Sequence, residues 1–397
     1  MSAYAITVWG AYITLVLGAS VRSRMFGVFA GILLLFPAGV GVALRTHLGP
    51  LAPLVPYLQV ATAVHIAMLM WRPKMKPWPV RVAVSWPASW FLAATLLAFP
   101  WAIVAAVGWT PYGAWIPFVL AAGGLVQSLW TREETVDLTL HRDHNAGALG
   151  RFGQGLGTPS ETEAQERRPL TIVQISDPHL GPFMSVERLQ RICRRAVERK
   201  PDLILITGDL MTMESHDVET VTRALEPLRA YAGRVFACHG NHDHEAREVV
   251  RRAYARTGVR LLVDEAEIVQ TPAGAVQVVG LDFVWRHRAA HMRMVCEDHP
   301  RQPGALRLLL LHDPGAFVHL PEGEGDLVLS GHTHGGQLGL LSLGGTGTFV
   351  SLFTSIPDHG PWARGYDRLY VHRAQGHYGF PIRLGVPAEQ SLLRVWT

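Results

Sequence analysis

The sequence predicts an α/β domain of two β-sheets with helices outside, preceded by an all-α transmembrane bundle. Three observations predict it. Before residue 131 the chain has five uncharged apolar stretches and neither Asp nor Glu. From Pro169 through Arg256, short apolar runs alternate with helical patterns, which argues βαβ units and a mostly parallel sheet. After Val259 the pattern changes to short strands and turns, such as Glu267–Gln270 and Ala275–Gly280 around Thr271-Pro-Ala-Gly274. A plain doubly wound sheet does not contain these; a second sheet does.

The apolar stretches are Ala3–Val21, Met25–Leu44, Pro53–Trp71, Trp90–Trp109 and Pro111–Trp130. About 18–20 residues suffice to cross a hydrocarbon core of about 30 Å as a helix. Helices buried in a soluble domain would carry a polar face, so five membrane spans are expected over residues 1–130. Pro87 interrupts Val80–Pro100 and leaves a four-span count open. No basic region precedes the first stretch, so it is not a signal peptide of the usual form.

The formal net charge of +4 hides an asymmetry. Seven basic and no acidic residues precede residue 131, so the remainder is net −3. The basicity is therefore no argument for nucleic acid, and none is expected as a partner. Nine of the 12 Trp also precede residue 131, which suits anchors at lipid interfaces. Six of the seven basic residues lie at Arg22/Arg24 and between Arg72 and Arg81. The positive-inside rule places both loops in the cytoplasm. With five spans, the N-terminus of this inner- or plasma-membrane protein is then outside and everything after Trp130 is cytoplasmic. The spans contain no acidic residue and only His65, so they lack the charges of an ion or proton pathway.

Thr135–Leu140 alternates like an edge strand. His141–Arg168, with five glycines and almost no large apolar residue, is expected to be a flexible linker or long loop. The catalytic region is then 169–397, with helices at Val186–Arg199, Val218–Tyr231 and Glu245–Arg256. Cys193, Cys238 and Cys296 are scattered, without Cys-x-x-Cys spacing, and are expected as buried hydrophobes rather than disulfides or zinc ligands.

Five polar motifs follow strand-like apolar runs. Asp177-Pro-His179 follows Leu170–Ser176, Gly208-Asp209 follows Leu203–Thr207, and Gly240-Asn-His-Asp243 follows Val235–Cys238. His312 follows Leu308–Leu311, and Gly331-His-Thr-His334 follows Leu327–Ser330. Residues i and i+2 of a strand share a face, so Asp177 with His179, and His332 with His334, are each expected to face one ion. Asp209 could bridge two cations, Asn241 offers a neutral oxygen, and His312 a further imidazole. Oxygen and nitrogen donors without thiolate suit Mn, Fe or Zn. Two such ions clamp a phosphoryl group and generate hydroxide from a bridging water. His242 is left to protonate the departing oxygen, with Asp243 near enough in sequence to orient it.

Together these motifs resemble the calcineurin-like metallophosphoesterase superfamily. Ser176-Asp-Pro-His-Leu-Gly181, Gly331-His-Thr-His-Gly-Gly-Gln337 and Pro381-Ile-Arg-Leu-Gly-Val-Pro-Ala-Glu389 resemble its bacterial membrane-associated branch. That branch includes phosphodiesterase-like proteins and a UDP-2,3-diacylglucosamine pyrophosphatase. The resemblance covers roughly Leu170–Thr397 and implies a pair of mixed β-sheets packed as a sandwich flanked by helices. It implies one metal held by Asp177, His179, Asp209 and His334, and another by Asp209, Asn241, His312 and His332. His242 matches the histidine that contacts phosphate. Arg373-Ala-Gln-Gly376 departs from the usual Arg-Gly-x-Gly and bears on the substrate-side loop.

Other polar residues have plainer readings. His239 is expected to be a packed, hydrogen-bonded histidine. His287 and His291 are spaced to grip a metal, but a solvated helix face is the simpler account. Arg191, Arg194, Arg195 and Arg199 crowd one helix, as a solvated face or one that meets anionic lipid.

The expected function is membrane-anchored hydrolysis of a phosphodiester or pyrophosphate bond, with membrane lipids as partners and a phosphate ester, free or lipid-linked, as substrate. The alternatives are a phosphoprotein or cyclic-nucleotide phosphatase, and a membrane signalling protein with a regulatory metal domain.

Overall fold

The computed structural model describes residues 2–22, 24–140, 145–151, 168–377 and 379–397. The chain divides into two compact units, residues 1–130 with 377–384, and residues 131–376 with 385–397.

The first unit is helical: α1 (Ala3–Arg22), α2 (Arg24–Leu44), α3 (Val55–Trp71), α4 (Trp78–Leu97), α5 (Phe99–Ala106) and α6 (Ile116–Gln127). Among the described residues four helices are long and apolar enough to cross a membrane, not the expected five. The expected fourth stretch, Trp90–Trp109, is divided by a turn at Ala98 that precedes Phe99-Pro100. A proline is tolerated in the first turn of the next helix but not in the interior of the last. The fourth helix instead begins earlier, at Trp78, and passes Pro87 through a π turn at Arg81–Ser85. Pro87 cannot serve the carbonyl of Ala83, which accepts the Tyr57 hydroxyl. The fifth stretch yields only the 12 residues of α6, about 18 Å of helix. Apolar side chains such as Leu17, Val28 and Val60 point outward, as lipid-facing ones do. Residues 377–384, assigned from sequence to the C-terminal domain, group with these helices. Phe380 meets the Phe36 ring, and the Arg383 N–H donates to Ser128 Oγ at 2.8 Å.

Among the described residues the second unit contains 13 strands and five α-helices. Its strands are β1 (Thr131–Thr139), β2 (Asn145–Arg151), β3 (Leu170–Ile175), β4 (Leu203–Thr207), β5 (Val235–Cys238), β6 (Arg260–Leu261) and β7 (Glu265–Thr271). They continue with β8 (Gly274–Gly280), β9 (Leu306–Leu310), β10 (Leu327–Ser330), β11 (Gly360–Gly365), β12 (Asp367–Val371) and β13 (Ala388–Trp396). One mixed sheet runs β1-β13-β3-β4-β5-β6 and the other β2-β11-β12-β10-β9-β8-β7. The helices are α7 (Val186–Glu198), α8 (Val218–Leu225), α9 (Arg247–Thr257), α10 (Arg288–Asp298) and the short α11 (Phe349–Phe353).

Strand alternation builds the layers. In β4, Leu203 and Leu205 join Leu308, Leu310, Leu327 and Leu329 between the sheets, while Ile204 and Ile206 pack against α7–α9. Each central strand is therefore apolar on both faces. Ser185 and Asp217 cap α7 and α8 by accepting N–H bonds from Arg188 and Thr220. β1 is an edge strand, paired only with β13 in parallel. Part of the expected linker is a strand: Asn145–Arg151 pairs antiparallel with β11, and most of the remaining linker residues lie outside the described ones. Glycine-rich composition concealed this strand because its partner is some 200 residues away in sequence.

Candidate active site

The polar motifs lie just beyond the C-terminal ends of β3, β4 and β5, which run parallel to one another, and of β9 and β10, which do likewise in the other sheet. The structure brings them into two groups. Asp177, His179 and His334 have ligand atoms within 4.8 Å of one another, and so do Asp209, His312 and His332. Asp209 Oδ2 lies 3.6 Å from His179 Nε2 and 3.3 Å from His312 Nε2, so one carboxylate faces both groups.

Strand alternation does not bring these residues together. Asp177 (φ 49°), His179 (49°), Asp209 (53°), His332 (67°) and His334 (54°) are all left-handed. Each such non-glycine residue costs about 1–2 kcal/mol, which the surrounding hydrogen bonds must offset. Asp177 and His179 do share a group. His332 and His334, which strand spacing alone would turn to one ion, are separated as the family resemblance implied: His332 goes with Asp209 and His312, and His334 with Asp177 and His179.

The supporting bonds are specific. Asp177 takes the Ser176 hydroxyl at 2.5 Å and the His332 N–H at 3.0 Å. His312 Nδ1 lies 2.7 Å from the Thr207 carbonyl, which leaves Nε2 aimed inward, the usual outer-shell device for a metal-binding imidazole. A Cβ on Gly331 would lie 2.1 Å from Asp177 Oδ2, and one on Gly240 would lie 2.5 Å from Asp209 N. The glycines of these motifs therefore allow the loops to close on one another.

Two roles read from sequence change. The Asp243 carboxylate does not orient His242. It accepts the N–H groups of Asp209 (2.8 Å), Leu210 (2.9 Å) and Gly240 (2.8 Å), clamping the β4 and β5 loops. His242 Nδ1 instead faces Glu245 Oε1 at 2.9 Å, and the His242 N–H donates to Asp209 Oδ1. Glu245 was missed; its signal was an acid three residues on, within the 3-10 turn Asp243–Glu245. Gln375 was also missed: its side chain accepts the Ser176 N–H, while the N–H groups of Gln375 and Gly376 donate to the carbonyls of Ser176 and Asp177. The Arg373–Gly376 loop thus braces the peptide that carries Asp177. Ala374 takes the left-handed conformation (φ 66°) that glycine would favour there.

The site's electrostatics suit cations. Burial opposes ionisation of Asp177, but His334 and His312 hold its carboxyl well below the usual range. Burial also opposes charge on Asp209, yet His312 and His242 depress it. At His312, burial is outweighed by Asp209 and Asp177, which push the imidazole up to about 10. Burial, reinforced by His334 and His242 against Asp209, pushes His179 down to about 3. Ring nitrogens face each other at 3.2 Å (His179 to His334) and 3.1 Å (His312 to His332), an arrangement that places two donor lone pairs around one point. Asn241 Oδ1 is buried with no hydrogen-bond donor among the described residues. An orphaned oxygen beside paired imidazoles and carboxylates fits divalent metal.

Other histidines singled out in the sequence lie apart from these two groups. His239 and His244 both face Asp282 Oδ1, at 3.0 and 2.9 Å, and form a third compact group with it. That oxygen also accepts the Phe283 N–H, and Arg247 lies 3.4 Å from Oδ2. His291 pairs with Asp264 at 2.8 Å, while His287 forms the left-handed N-cap of α10; the two do not form a site. Arg195 lies 3.3 Å from Glu133, and Arg199 donates to Thr135 Oγ1, so that helix face is partly used by β1.

The profile of the calcineurin-like phosphoesterase family matches residues 170–336. Phosphodiesterase YaeI of Escherichia coli is 30% identical over 238 residues, covering 57% of this chain and 82% of that protein. A zebrafish transmembrane protein with metallophosphoesterase domain is 27% identical over 245 residues, 58% of this chain and 54% of that protein. Among solved structures, sulfate thiohydrolase SoxB of Thermus thermophilus superposes with TM-score 0.35 at 15% identity, over 53% of this chain and 52% of that one.

Proposed function

We infer that this chain, which belongs to the calcineurin-like phosphoesterase family and is a metal-dependent phosphoric ester hydrolase, cleaves phosphodiester or pyrophosphate bonds at a membrane. The observation that carries this reading is the pair of ligand groups sharing Asp209. One ion would be held by Asp177, His179, Asp209 and His334, the other by Asp209, Asn241, His312 and His332. Two divalent ions supply charge neutralisation at the phosphoryl oxygens and a nucleophile at neutral pH. His242, held by Glu245, donates a proton from its other ring nitrogen to the departing oxygen. Asp243 keeps the Asp209 and Asn241 loops in register. A lipid-linked ester or pyrophosphate is the substrate class that a bilayer anchor would concentrate.

Sidedness follows from the number of crossings. Four return the chain to the side of its N-terminus, opposite the loops at Arg22/Arg24 and Arg72–Arg81. The catalytic unit then faces away from the cytoplasm; a fifth crossing would return it there. The four-helix count favours the outward placement, and accessibility of a cysteine at Ala230→Cys in the catalytic unit, compared with one in the Arg72–Arg81 loop, distinguishes the two. The enzymatic test is hydrolysis of bis-p-nitrophenyl phosphate against the monoester, with added Mn²⁺, with chelator, and with Asp209→Asn. Metal-dependent diester cleavage that is lost in the variant is expected. Cleavage that survives both chelator and Asp209→Asn would refute the assignment.

A further inference from the structure

The segment that follows Gly331-His-Thr-His334 has no counterpart in the mechanism. From Gly335 to Pro357 it contains no charged residue. Leu343 (82%), Leu352 (75%) and Phe353 (73%) are largely exposed, and Leu340, Phe349 and Ile356 partly so. Such a run is more than scattered surface hydrophobes. Nor is it a slack loop. The N–H of Leu340 donates to the Gly347 carbonyl and that of Phe349 to Leu338. Thr348 forms a capping box with Ser351 at the start of α11. Phe349 and Phe353, one turn apart, meet edge-to-face with ring centroids 5.0 Å apart. At the base, Thr348 donates to Asp358, which also pairs with Arg151 at 2.5 Å. The backbone is fastened while its apolar side chains are held away from the core.

We propose that Leu340, Leu343, Phe349, Leu352, Phe353 and Ile356 form an apolar lip that enters the surface of the bilayer in which the same chain is anchored. The proposal rests on the membrane reading of the helical unit and deepens it. Two observations select lipid over a protein partner. The lip is made of Leu, Phe and Ile set among Gly, Ser and Thr, and lacks the Arg, Tyr and Trp anchors that dominate protein interfaces. Four membrane-length helices on the same chain also keep a bilayer at high effective concentration. An apolar edge of this kind sits about 5–10 Å into the headgroup boundary. The lip begins within a few residues of His334, so docking would hold the ligand cluster at headgroup level, where a lipid-linked phosphoester lies.

The test uses the full chain in nanodiscs, with single cysteines at Leu343→Cys or Phe353→Cys carrying a bimane probe. The three native cysteines are buried and leave labelling selective. Val60→Cys, outward-facing on α3, reports the anchor, and Ala230→Cys, exposed in the catalytic unit, reports water. Nitroxide-bearing lipids are expected to quench the Leu343 and Phe353 probes roughly two-fold or more, as at Val60, with no change at Ala230. Quenching at Val60 with the lip probes behaving like Ala230 would overturn the lip and leave the anchor standing. No quenching at Val60 would overturn the membrane reading itself. Lip probes shielded from aqueous iodide yet untouched by lipid nitroxides would mean a protein surface or second copy covers the lip, which also overturns the proposal. Retained hydrolysis of bis-p-nitrophenyl phosphate confirms that each labelled chain is folded.

Discussion

Replacing Asp243 by Asn tests whether this buried carboxylate is a clamp or a partner of His242. Its Oδ2 accepts two backbone N–H groups and its Oδ1 a third. The Asn carboxamide oxygen can retain the pair from Asp209 and Gly240, but its NH₂ then points at the Leu210 N–H. One buried donor is left unsatisfied, at about 1–3 kcal/mol, and the retained bonds lose charge assistance, about 1 kcal/mol more. Part of this is recovered because the carboxylate no longer has to ionise while buried beside Asp209, two effects that raise its pKa. A net loss of about 2–3 kcal/mol corresponds to roughly 4–12 °C in the melting temperature of a unit this size. Because the clamp joins the loops bearing Asp209 and Asn241, bound Mn²⁺ should fall in parallel. The assay is thermal unfolding of the full chain in detergent, together with metal content after dialysis. An unchanged melting temperature and metal content, with a shifted pH profile of hydrolysis, would refute the clamp and restore Asp243 as the partner of His242.

Three further outcomes are expected. Burial lowers the proton affinity of His242, but Asp209 and Glu245 outweigh it and raise its pKa. Activity that needs the protonated ring is lost as pH rises through that pKa, so Glu245→Gln should move the alkaline limb of the kcat profile to lower pH, by less than about one unit because Glu245 is partly exposed. Ala374→Gly should change stability by less than about 1 kcal/mol in either direction: relief of left-handed strain, about 1–2 kcal/mol, is offset by a lost buried methyl, about 0.8 kcal/mol, and greater unfolded-state freedom, about 0.5–1 kcal/mol. A loss beyond about 2 kcal/mol in chemical denaturation would mean the φ of 66° is wrong. The Asp264 hydrogen bond raises the pKa of His291, so its contribution is full below the ordinary histidine value and declines as pH rises through the raised one. His291→Gln should therefore cost up to about 1 kcal/mol at pH 5.5 and less at pH 9; an equal cost at both would remove the charge from the explanation.

The residues of the two candidate groups were legible because each is polar and closely follows an apolar strand, a junction that depends only on neighbours in sequence. The apolar stretches before residue 131 were legible for the same reason: bilayer length is a local count. Helix number was less so, because whether a proline breaks a helix depends on what takes up the freed carbonyl. The Tyr57 hydroxyl carries α4 past Pro87, while the turn at Ala98 before Pro100 splits the next stretch.

The sequence alone singled out the polar side chains that gather into two groups, and showed that they follow strands and that a bilayer-length apolar region precedes them. Tertiary structure decided how they are shared out. His332 and His334 are two residues apart, yet left-handed backbone at each sends them to different groups. Asp243, beside His242 in sequence, is spent on amides from another loop, and Glu245 takes its place. Gln375 braces Ser176 across 199 positions. Residues 377–384 join the helices and Asn145–Arg151 joins a sheet. The physical reason is common to all: hydrogen bonds and backbone conformation at strand ends are settled by whichever distant loop arrives there, and local pattern carries no record of that partner.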